Sequence, residues 1–272
     1  IVELAERLLA YDDLNKDDRF NVNLLVGQAY FHKEEWVKCI EPLVYAEDNT
    51  DDDRVQGVCQ IMVARAYVEA EQWSKLYDWI LRVYRTDRKY DITLNLALMK
   101  AGKSRYEDAD YLNALYLYRM VLPREKMLAF AGQQVKALNQ EIAVGLSPVE
   151  LQDRQSQIEE INSSMNILKE LPPYEDEVMF RIGQIYADVK RYWEGYVLFD
   201  KLYRTDRDSQ IGEAALLQSV MVLYEVMEYA RAETRILGYL DEKQEGIYAR
   251  TLLSMMMRDN LIRKNYEKVI GL

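Results

Sequence analysis

The side chains able to do acid–base or nucleophilic chemistry are few and isolated in this sequence. His32 is the one histidine, and the two cysteines, Cys39 and Cys59, form neither a CxxC motif nor a pair with histidines. A lone histidine without a nucleophile or metal ligands at a meaningful spacing is usually structural, and zinc needs a set of such ligands. Phosphate-binding glycine loops and the common hydrolase motifs are also missing from the sequence. We therefore expect no catalytic residue, no metal and no cofactor, and we predict that the chain is not an enzyme.

The cysteines and the aspartate clusters have simpler structural interpretations. Both cysteines fall at apolar positions of predicted helices, where cysteine behaves as a small buried hydrophobe. The acidic clusters at 12–13, 17–18 and 48–53 lack the central glycine and the closing glutamate of a calcium-binding loop. They lie between predicted helices, so we expect them to cap the next helix or to be solvated.

The charge balance restricts the class of partner. The formal net charge is −11 over 272 residues, whereas nucleic-acid binding needs a basic surface and anionic membranes repel an acidic chain. No uninterrupted apolar stretch approaches the ~18 residues of a membrane-spanning helix. We therefore expect neither nucleic-acid binding nor direct membrane insertion. The acidity either keeps the surface solvated or selects basic segments of a partner.

The composition favours an all-α fold. Hydrophobic residues make up 49% of the chain, which also contains only 5 prolines and 11 glycines. The chain can therefore bury a core and has few of the residues that interrupt helices. Tyrosine is frequent, at 21 residues against 5 phenylalanines, which is typical of rings packed between helices with the hydroxyl at the solvent edge.

Internal recurrences indicate how the helices are organised. The pentapeptide Tyr-Arg-Thr-Asp-Arg occurs at 84–88 and again at 203–207, 119 residues later. Aromatic residues recur every 37 or 38 residues, with one gap of 81, at Trp36, Trp73, Tyr111, Tyr192, Tyr229 and Tyr266. Nine positions before each one stands a small or apolar residue: Gly27, Ala64, Gly102, Gly183, Val220 and Met257. We predict that each aromatic residue begins the second helix of a two-helix unit, and that the small residues let the two helices approach closely.

These units resemble the tetratricopeptide repeat family. The family has a small residue at repeat position 8, aromatic residues at 11 and near 17, a small residue at 20 and an apolar residue at 24. The first unit has Gly27, Tyr30, Trp36, Cys39 and Leu43 at these positions, and the fourth has Gly183, Tyr186, Tyr192, Gly195 and Phe199. The period of about 37 residues exceeds the family's 34, and the proline that closes each family unit is mostly missing. The resemblance implies a right-handed α-solenoid of antiparallel helical hairpins.

The resemblance covers nearly the whole chain and implies a single helical-repeat array over 1–272. In this array, 1–19 ends a preceding repeat, 20–123 forms three repeats, 124–173 forms a longer hairpin, and 174–272 forms about three repeats, the last truncated. The fourth and fifth units are most similar to repeats of bacterial envelope proteins of the outer-membrane assembly and Tol-Pal type. This similarity implies a periplasmic or cell-envelope location rather than a cytoplasmic one.

The 81-residue gap between two aromatic markers predicts a pair of helices of roughly 20 residues or more. Apolar residues follow a three-and-four spacing in both of them. Gly145 can close the first helix, while Ser147, Pro148 and Glu150 provide the cap, the first helical position and the capping box of the second. Two interpretations stay open: an arm that grips a partner or a second copy, or a longer packing unit that changes the pitch of the array.

The first helix of each unit lines the concave face in this family, so the resemblance implies which residues contact a ligand. They are Gln28, Phe31, Arg65, Lys103, Tyr106, Phe180, Arg181, Gln184, Met221, Tyr224 and Arg258. This aromatic and basic set within an acidic molecule suits a peptide with apolar anchors and acidic side chains. The alternative is that these side chains pair with nearby aspartates and glutamates. Some family members clamp a C-terminal carboxylate with Lys, Asn and Arg, but this chain has Leu24 with Gln28 and Ile61 with Arg65 at those positions, so co-chaperone activity is not expected.

These patterns predict a protein–protein interaction scaffold or adaptor that binds a peptide or protein segment on the concave face. Two alternatives stay open. The chain can be a structural self-assembly module that forms a homo-oligomer through the long hairpin and the open ends, or a helical regulatory domain of a larger enzyme. The chain begins at Ile1 and ends at Leu272 within a helical pattern, so we expect it to be a piece of a longer protein.

Overall fold

Aromatic residues and capping side chains mark where the helices of this chain begin. The structure is a computed structural model that describes residues 2–9 and 14–267. Every regular element in these ranges is a helix and none is a strand, which confirms the all-α prediction. The α-helices are α1 Val2–Leu9, α2 Lys16–His32, α3 Trp36–Asp48, α4 Asp53–Glu69, α5 Trp73–Tyr84, α6 Ile92–Glu107, α7 Tyr111–Met120, α8 Arg124–Val144, α9 Pro148–Glu170, α10 Glu175–Asp188, α11 Tyr192–Thr205, α12 Gln210–Glu225, α13 Tyr229–Glu242 and α14 Ala249–Ile262. A 3-10 helix, Asp87–Tyr90, lies between α5 and α6.

The second helix of each predicted unit begins at its aromatic marker. We call these helices, α3, α5, α7, α11 and α13, the B helices, and they begin at Trp36, Trp73, Tyr111, Tyr192 and Tyr229, respectively. The helices before them, α2, α4, α6, α10 and α12, together with α14, are the A helices. The predicted last unit continues past Tyr266 into 268–272, which lie outside the described residues.

Acidic side chains cap helices as the sequence predicts. The Asp52 carboxylate accepts hydrogen bonds from the backbone N–H groups of Arg54 and Val55, at 2.8 and 3.3 Å, and so caps the start of α4. Such a cap satisfies N–H groups that have no partner within the helix. The cluster at 12–13 lies outside the described residues.

A left-handed residue precedes every aromatic marker by two positions. These residues are Glu34, Glu71, Ala109, Lys190, Met227 and Lys264, with φ between 55° and 63°. The residue that follows closes the A helix with the same hydrogen bond in five units: for example, Glu35 N–H donates to the carbonyl of Tyr30 at 2.9 Å, and Arg191 N–H donates to that of Tyr186 at 2.8 Å. This six-to-one bond defines the Schellman motif. The turn from A helix to B helix is therefore the same structure repeated along the chain.

Small residues at repeat position 8 let paired helices approach closely. A Cβ atom added to Gly27 would lie 2.7 Å from Cγ of Leu43, and one added to Gly183 would lie 2.7 Å from Cε1 of Phe199. Both distances are too short for real atoms, so only glycine fits while these partners keep their positions. The partner stands at repeat position 24 in both units, so the predicted close approach is present at Gly27 and Gly183.

Tertiary contacts group the chain into two compact units. The first unit comprises 1–105 and 119–171, and the second comprises 106–118 and 172–272. Within the first unit α2 contacts α3, α3 contacts α4, and α4 contacts α5. Within the second unit each helix from α10 to α13 contacts the next helix, and α10 also contacts α12. Consecutive helices therefore build the core in each unit.

Buried carboxylates join helices in both units. In the first unit Glu47 accepts hydrogen bonds from Gln60 Nε2 at 2.8 Å and from Arg82 Nη2 at 3.0 Å. In the second unit Glu213 accepts from the Tyr239 hydroxyl at 2.7 Å and from Lys243 Nζ at 3.0 Å. Because each carboxylate is paired and hydrogen-bonded, its burial is tolerated, and removal of one partner would leave an uncompensated charge.

The two long helices predicted for the middle of the chain are α8 and α9, which we call the long helix pair. They contain 21 and 23 residues and contact each other. Gly145 follows α8 with φ of 100°. The Ser147 side chain and Glu150 form the predicted capping box, with Pro148 at the first helical position. The sequence therefore predicted the length, the turn and the cap of this pair correctly.

The long helix pair is attached to the rest of the first unit. The ring of Phe130 on α8 stacks on Tyr90 of the 3-10 helix at 4.0 Å. The guanidinium of Arg54 at the start of α4 lies 2.8 Å from Glu160 and 3.4 Å from Asp153, both on α9. These contacts fasten the pair through the first half of α8 and through the start and middle of α9, which favours the packing interpretation over the arm interpretation.

Candidate functional site

The predicted ligand-contacting residues lie on the A helices, and we call them the A-helix face. Repeat position 9 is at least partly exposed in all six units, at Gln28, Arg65, Lys103, Gln184, Met221 and Arg258. The residue just before it is buried in five units and half-buried in the sixth. Each A helix therefore turns position 8 toward its neighbours and position 9 toward solvent.

Arg65 is a cation of this face that packs over two aromatic rings. Its guanidinium carbon lies 5.4 Å from the ring centroid of Phe31 and 5.5 Å from that of Trp36, and the two rings meet edge to face at 5.3 Å. Arg65 stays exposed, while both rings are half-buried. A guanidinium resting on aromatic faces loses less freedom on binding and keeps N–H donors for a carboxylate. Helices α2, α3 and α4 thus present a cation on an aromatic base.

Tyr106 belongs to a second group of aromatic and charged side chains, which lies within the second of the two compact units. Its hydroxyl donates to Asp188 at 2.7 Å, and its ring lies 5.7 Å from Tyr111. Burial and the hydrogen bond to Asp188 raise the pKa of Tyr106 well above its usual range. Nearby, Arg181 donates to Gln184 Oε1 at 3.1 Å and lies 3.7 Å from Glu177. Local pairing therefore occupies part of this group, as the alternative interpretation expects.

Tyr224 begins a third group, also in the second unit. Its ring lies 6.1 Å from Tyr229, and the guanidinium carbon of Arg263 lies 4.6 Å from the Tyr229 centroid. Burial, followed by the charges of Asp259 and Glu233, raises the pKa of Tyr224 to about 12. The hydroxyl of Tyr224 is buried and makes no hydrogen bond within the described part of the chain, so it stays protonated near neutral pH.

The three groups share one arrangement. An aromatic residue at repeat position 12 contacts the aromatic marker at position 17 in three of the predicted repeat units, the first, third and fifth along the chain. The ring centroids are 5.3, 5.7 and 6.1 Å apart. The rings face each other across the left-handed turn. A charged residue of the next A helix contacts each pair: Arg65 in the first group, Asp188 in the second and Arg263, next to the end of α14, in the third.

The remaining predicted residues differ in how accessible they are. Phe180 packs against the buried cluster around Phe199, with ring centroids 5.6 Å apart, so it contributes more to the core than to a surface. Met221 is 44% exposed. Arg258 lines a depression of about 370 Å³ on α14, together with Arg250, Thr251, Ser254 and Met255. The arginine side chains of this face are therefore most accessible at Arg65 and along α14.

The other residues with chemical potential have structural environments. His32 is exposed at the end of α2, with its ring 6.0 Å from that of Phe31. Cys39 and Cys59 are buried, as predicted, and burial raises the pKa of each thiol to about 11. The described ranges contain no cluster of three or more histidine, cysteine, aspartate or glutamate side chains placed to hold a metal ion. None of the helices described is long and apolar enough to span a bilayer.

The first unit contains a cavity of about 660 Å³ that the sequence did not predict. It lies beside the 3-10 helix and the base of the long helix pair, and its lining includes Asp87, Tyr90, Phe130 and Glu160. These residues come from elements far apart in the chain. The only sequence signal was the pentapeptide 84–88, which marks the turn that contributes Asp87 and Arg88.

Comparisons with known proteins add no family assignment. A scan of protein-family models gives no match to this chain, and a search of curated proteins gives none either.

Proposed function

We propose that the chain is a scaffold of tetratricopeptide-like helical hairpins, stacked as a right-handed α-solenoid, and that it acts by binding rather than by catalysis. Its ligand is an extended segment of another protein, bound on the A-helix face. The observation that carries this proposal is Arg65, an exposed guanidinium supported by the rings of Phe31 and Trp36.

The repeated geometry supports the hairpin part of the proposal. Six left-handed residues stand at the same place in successive units, and the position 8 to position 24 contact recurs at Gly27 and Gly183. Each hairpin leaves an apolar side that only a neighbour can cover, so stacking of hairpins supplies a continuous core.

The chemistry of the face supports a ligand that is both acidic and apolar. Arg65, Arg250 and Arg258 offer guanidinium groups at the surface of an acidic molecule. Half-buried rings such as Phe31 lie beside Arg65 and offer contact area to an aromatic or aliphatic side chain. Arginine and aromatic residues provide much of the binding energy in protein interfaces, and carboxylates are their natural ionic partners.

Selection of short random peptides displayed on phage tests this proposal. Peptides recovered on the wild-type protein are expected to combine Asp or Glu with Trp, Phe or Leu. Arg65→Glu should weaken the binding of these peptides at least about tenfold, since it replaces an attractive charge by a repulsive one. Binding is measured by fluorescence anisotropy.

Arg85→Glu is the matched control. Arg85 is exposed at the end of α5, which is a B helix, so its reversal changes the net charge equally without altering the A-helix face. The proposal fails if the two variants weaken binding to the same extent, or if the selection recovers no peptide that combines acidic with apolar side chains.

A further inference from the structure

The cavity in the first unit is a second candidate binding site, separate from the A-helix face. It has a volume of about 660 Å³, within the roughly 300–1,000 Å³ of typical ligand sites. Its walls come from the start of α4, the 3-10 helix, the start of α6 and the base of the long helix pair. All of these elements belong to the first unit.

The floor of the cavity is apolar and well supported. Met127 of α8 and Leu168 of α9 lie there with only 3% and 4% of their surface exposed. Beside them the rings of Tyr90 and Phe130 stack at 4.0 Å with an interplanar angle of 12°. Apolar side chains and stacked rings provide the contact area that an aliphatic or aromatic anchor requires.

The rim of the cavity is acidic on two sides. Asp53 and Asp87 stand on the side of α4 and the 3-10 helix, and Glu160 stands on α9. The side chains of Asp53 and Asp87 make no hydrogen bond or ion pair within 2–9 and 14–267. The one cation of the lining is Arg88, whose guanidinium donates to the backbone carbonyl of Asp53. Two carboxylates are thus available to a basic ligand.

The geometry points to a basic peptide segment as the ligand: we infer that the cavity binds an aliphatic or aromatic side chain flanked by lysine or arginine. The apolar group fits the floor between α8 and α9. The cationic groups on either side reach Asp53 and Asp87 on one rim and Glu160 on the other. This charge preference is opposite to that of the A-helix face, so the inference does not rest on the proposed function.

Arg54 competes with a cationic ligand for the carboxylate of Glu160. Its guanidinium binds Glu160 at 2.8 Å and Asp153 at 3.4 Å, so a peptide cation must share or displace it at that rim. Both sides of this ion pair are exposed, and such pairs are weak in water. Arg54→Ala is therefore expected to strengthen binding of the basic peptide about two- to fivefold.

Fluorescence anisotropy with the full chain and a labelled peptide of alternating lysine and leucine tests the inference. A lysine–glycine peptide of the same length is the control without an apolar anchor, and free spermine is the small-cation control. The lysine–leucine peptide is expected to bind at least about tenfold more tightly than either control, with affinity falling as salt rises.

Two serines on α9 provide a matched pair of variants. Ser164 lines the cavity, whereas Ser163, also exposed, does not. Ser164→Trp fills the cavity and should weaken peptide binding at least about tenfold, while Ser163→Trp should leave it unchanged. Equal effects of the two variants, or equal binding of spermine and peptide, would overturn the inference.

A charge variant covers the case in which Ser164→Trp disturbs folding. Asp53→Asn with Asp87→Asn removes two rim charges whose side chains bind nothing in the described chain, so the fold should persist. This double variant should weaken binding of the lysine–leucine peptide about tenfold. Asp241→Asn with Glu245→Gln, exposed on the second unit, makes the same change in net charge and should have no effect. If both double variants behave alike, the cavity is not the site.

Discussion

The same five residues, Tyr-Arg-Thr-Asp-Arg, adopt different structures in the two units. At 84–88 helix α5 ends at Tyr84, Thr86 caps the 3-10 helix, and Arg88 donates to the carbonyl of Asp53. At 203–207 helix α11 continues through Thr205, whose hydroxyl donates to the carbonyl of Lys201 at 2.9 Å. One threonine therefore begins a new helix and the other lies in the last turn of an old one.

The difference follows from what each copy contacts. After the first copy Tyr90, the last residue of the 3-10 helix, stacks on Phe130 of the long helix pair. After the second copy Ser209 caps α12. Arg207, the last residue of that copy, lies 2.7 Å from Glu242 at the surface. The five residues are the same, so the residues that follow them and the tertiary contacts decide the outcome. The unit that carries the long helix pair gains a cavity at this turn.

Gly183→Ala is expected to have the largest effect on the comparison between these regions. Its new Cβ would lie 2.7 Å from Phe199, so the free energy of unfolding should fall by about 2 kcal/mol or more. The equivalent residues 119 positions earlier are Ala64 and Ile80. Adding Phe199→Ile copies that pair and should restore part of the loss. Chemical denaturation measures both variants.

Gly132→Ala is the control for this prediction. Gly132 lies inside α8 and no heavy atom stands within 4 Å of the place its Cβ would occupy. Alanine in an open helical position should stabilise the protein by about 0.5–1 kcal/mol. If Gly132→Ala and Gly183→Ala change stability in the same direction, close helix approach is not the role of Gly183.

Removal of the last arginine of each copy should have unequal effects. Arg88→Ala removes a half-buried guanidinium from the carbonyl of Asp53 and should lower the free energy of unfolding by about 1–2 kcal/mol. Arg207→Ala removes an exposed ion pair with Glu242 and should cost less than about 1 kcal/mol. Parallel denaturation curves decide this. Equal losses would show that the two turns are held equally, contrary to their contacts.

Because the left-handed turn is the same in the two regions, we expect a glycine substitution there to change the free energy of unfolding equally in both. Glu71 and Lys190 are equivalent positions with φ of 55° and 63°. Replacing either with glycine relieves backbone strain and should raise the free energy of unfolding by about 0.5–1 kcal/mol. Lys201→Gly, inside α11 and exposed, should instead lower it by about 1 kcal/mol. A loss at Glu71 or Lys190 similar to that at Lys201 would contradict the repeated turn.

The cysteines distinguish the two units through their reactivity, with no expected effect on the free energy of unfolding near neutral pH. Both thiols lie in the first unit, and burial raises the pKa of each from 9.0 to about 11. The unfolded thiols ionise first as the pH rises, so the stability linked to their neutral form is present below about pH 9 and is lost toward pH 11. Labelling with a thiol reagent near neutral pH should be slow in the native protein and should follow opening of the first unit. Fast labelling of both thiols in the folded protein would contradict their burial.

The sequence predicted the parts of the fold that depend on local patterns. Aromatic spacing predicted where the B helices begin, and the residues around Ser147 predicted the capping box of α9. The left-handed turns were missed because Glu34, Ala109 and Met227 carry no glycine signal for positive φ. The 3-10 helix and the cavity were missed because they depend on the Tyr90–Phe130 stack, which joins residues 40 positions apart.

On the A-helix face, too, the sequence predicted the local features and missed those that depend on contacts between helices. Repeat register predicted that Arg65 and Met221 are exposed, since position 9 follows a buried position 8. It did not predict that Arg65 rests on Phe31 and Trp36, or that Phe180 packs against Phe199, because both contacts depend on distances between helices. The pairing of Arg181 with Gln184 and Glu177 likewise required the structure.

Photo-crosslinking with a peptide from the phage selection determines whether the ligand lies on the A-helix face. Benzoylphenylalanine replaces Gln28 or Met221 on A helices, and Val37 or Leu237 on B helices. Met221 and Leu237 are a matched pair, because both are 44% exposed. We expect peptide cross-links from Gln28 and Met221 only. Cross-links from Val37 and Leu237 of equal or greater yield would contradict binding on this face.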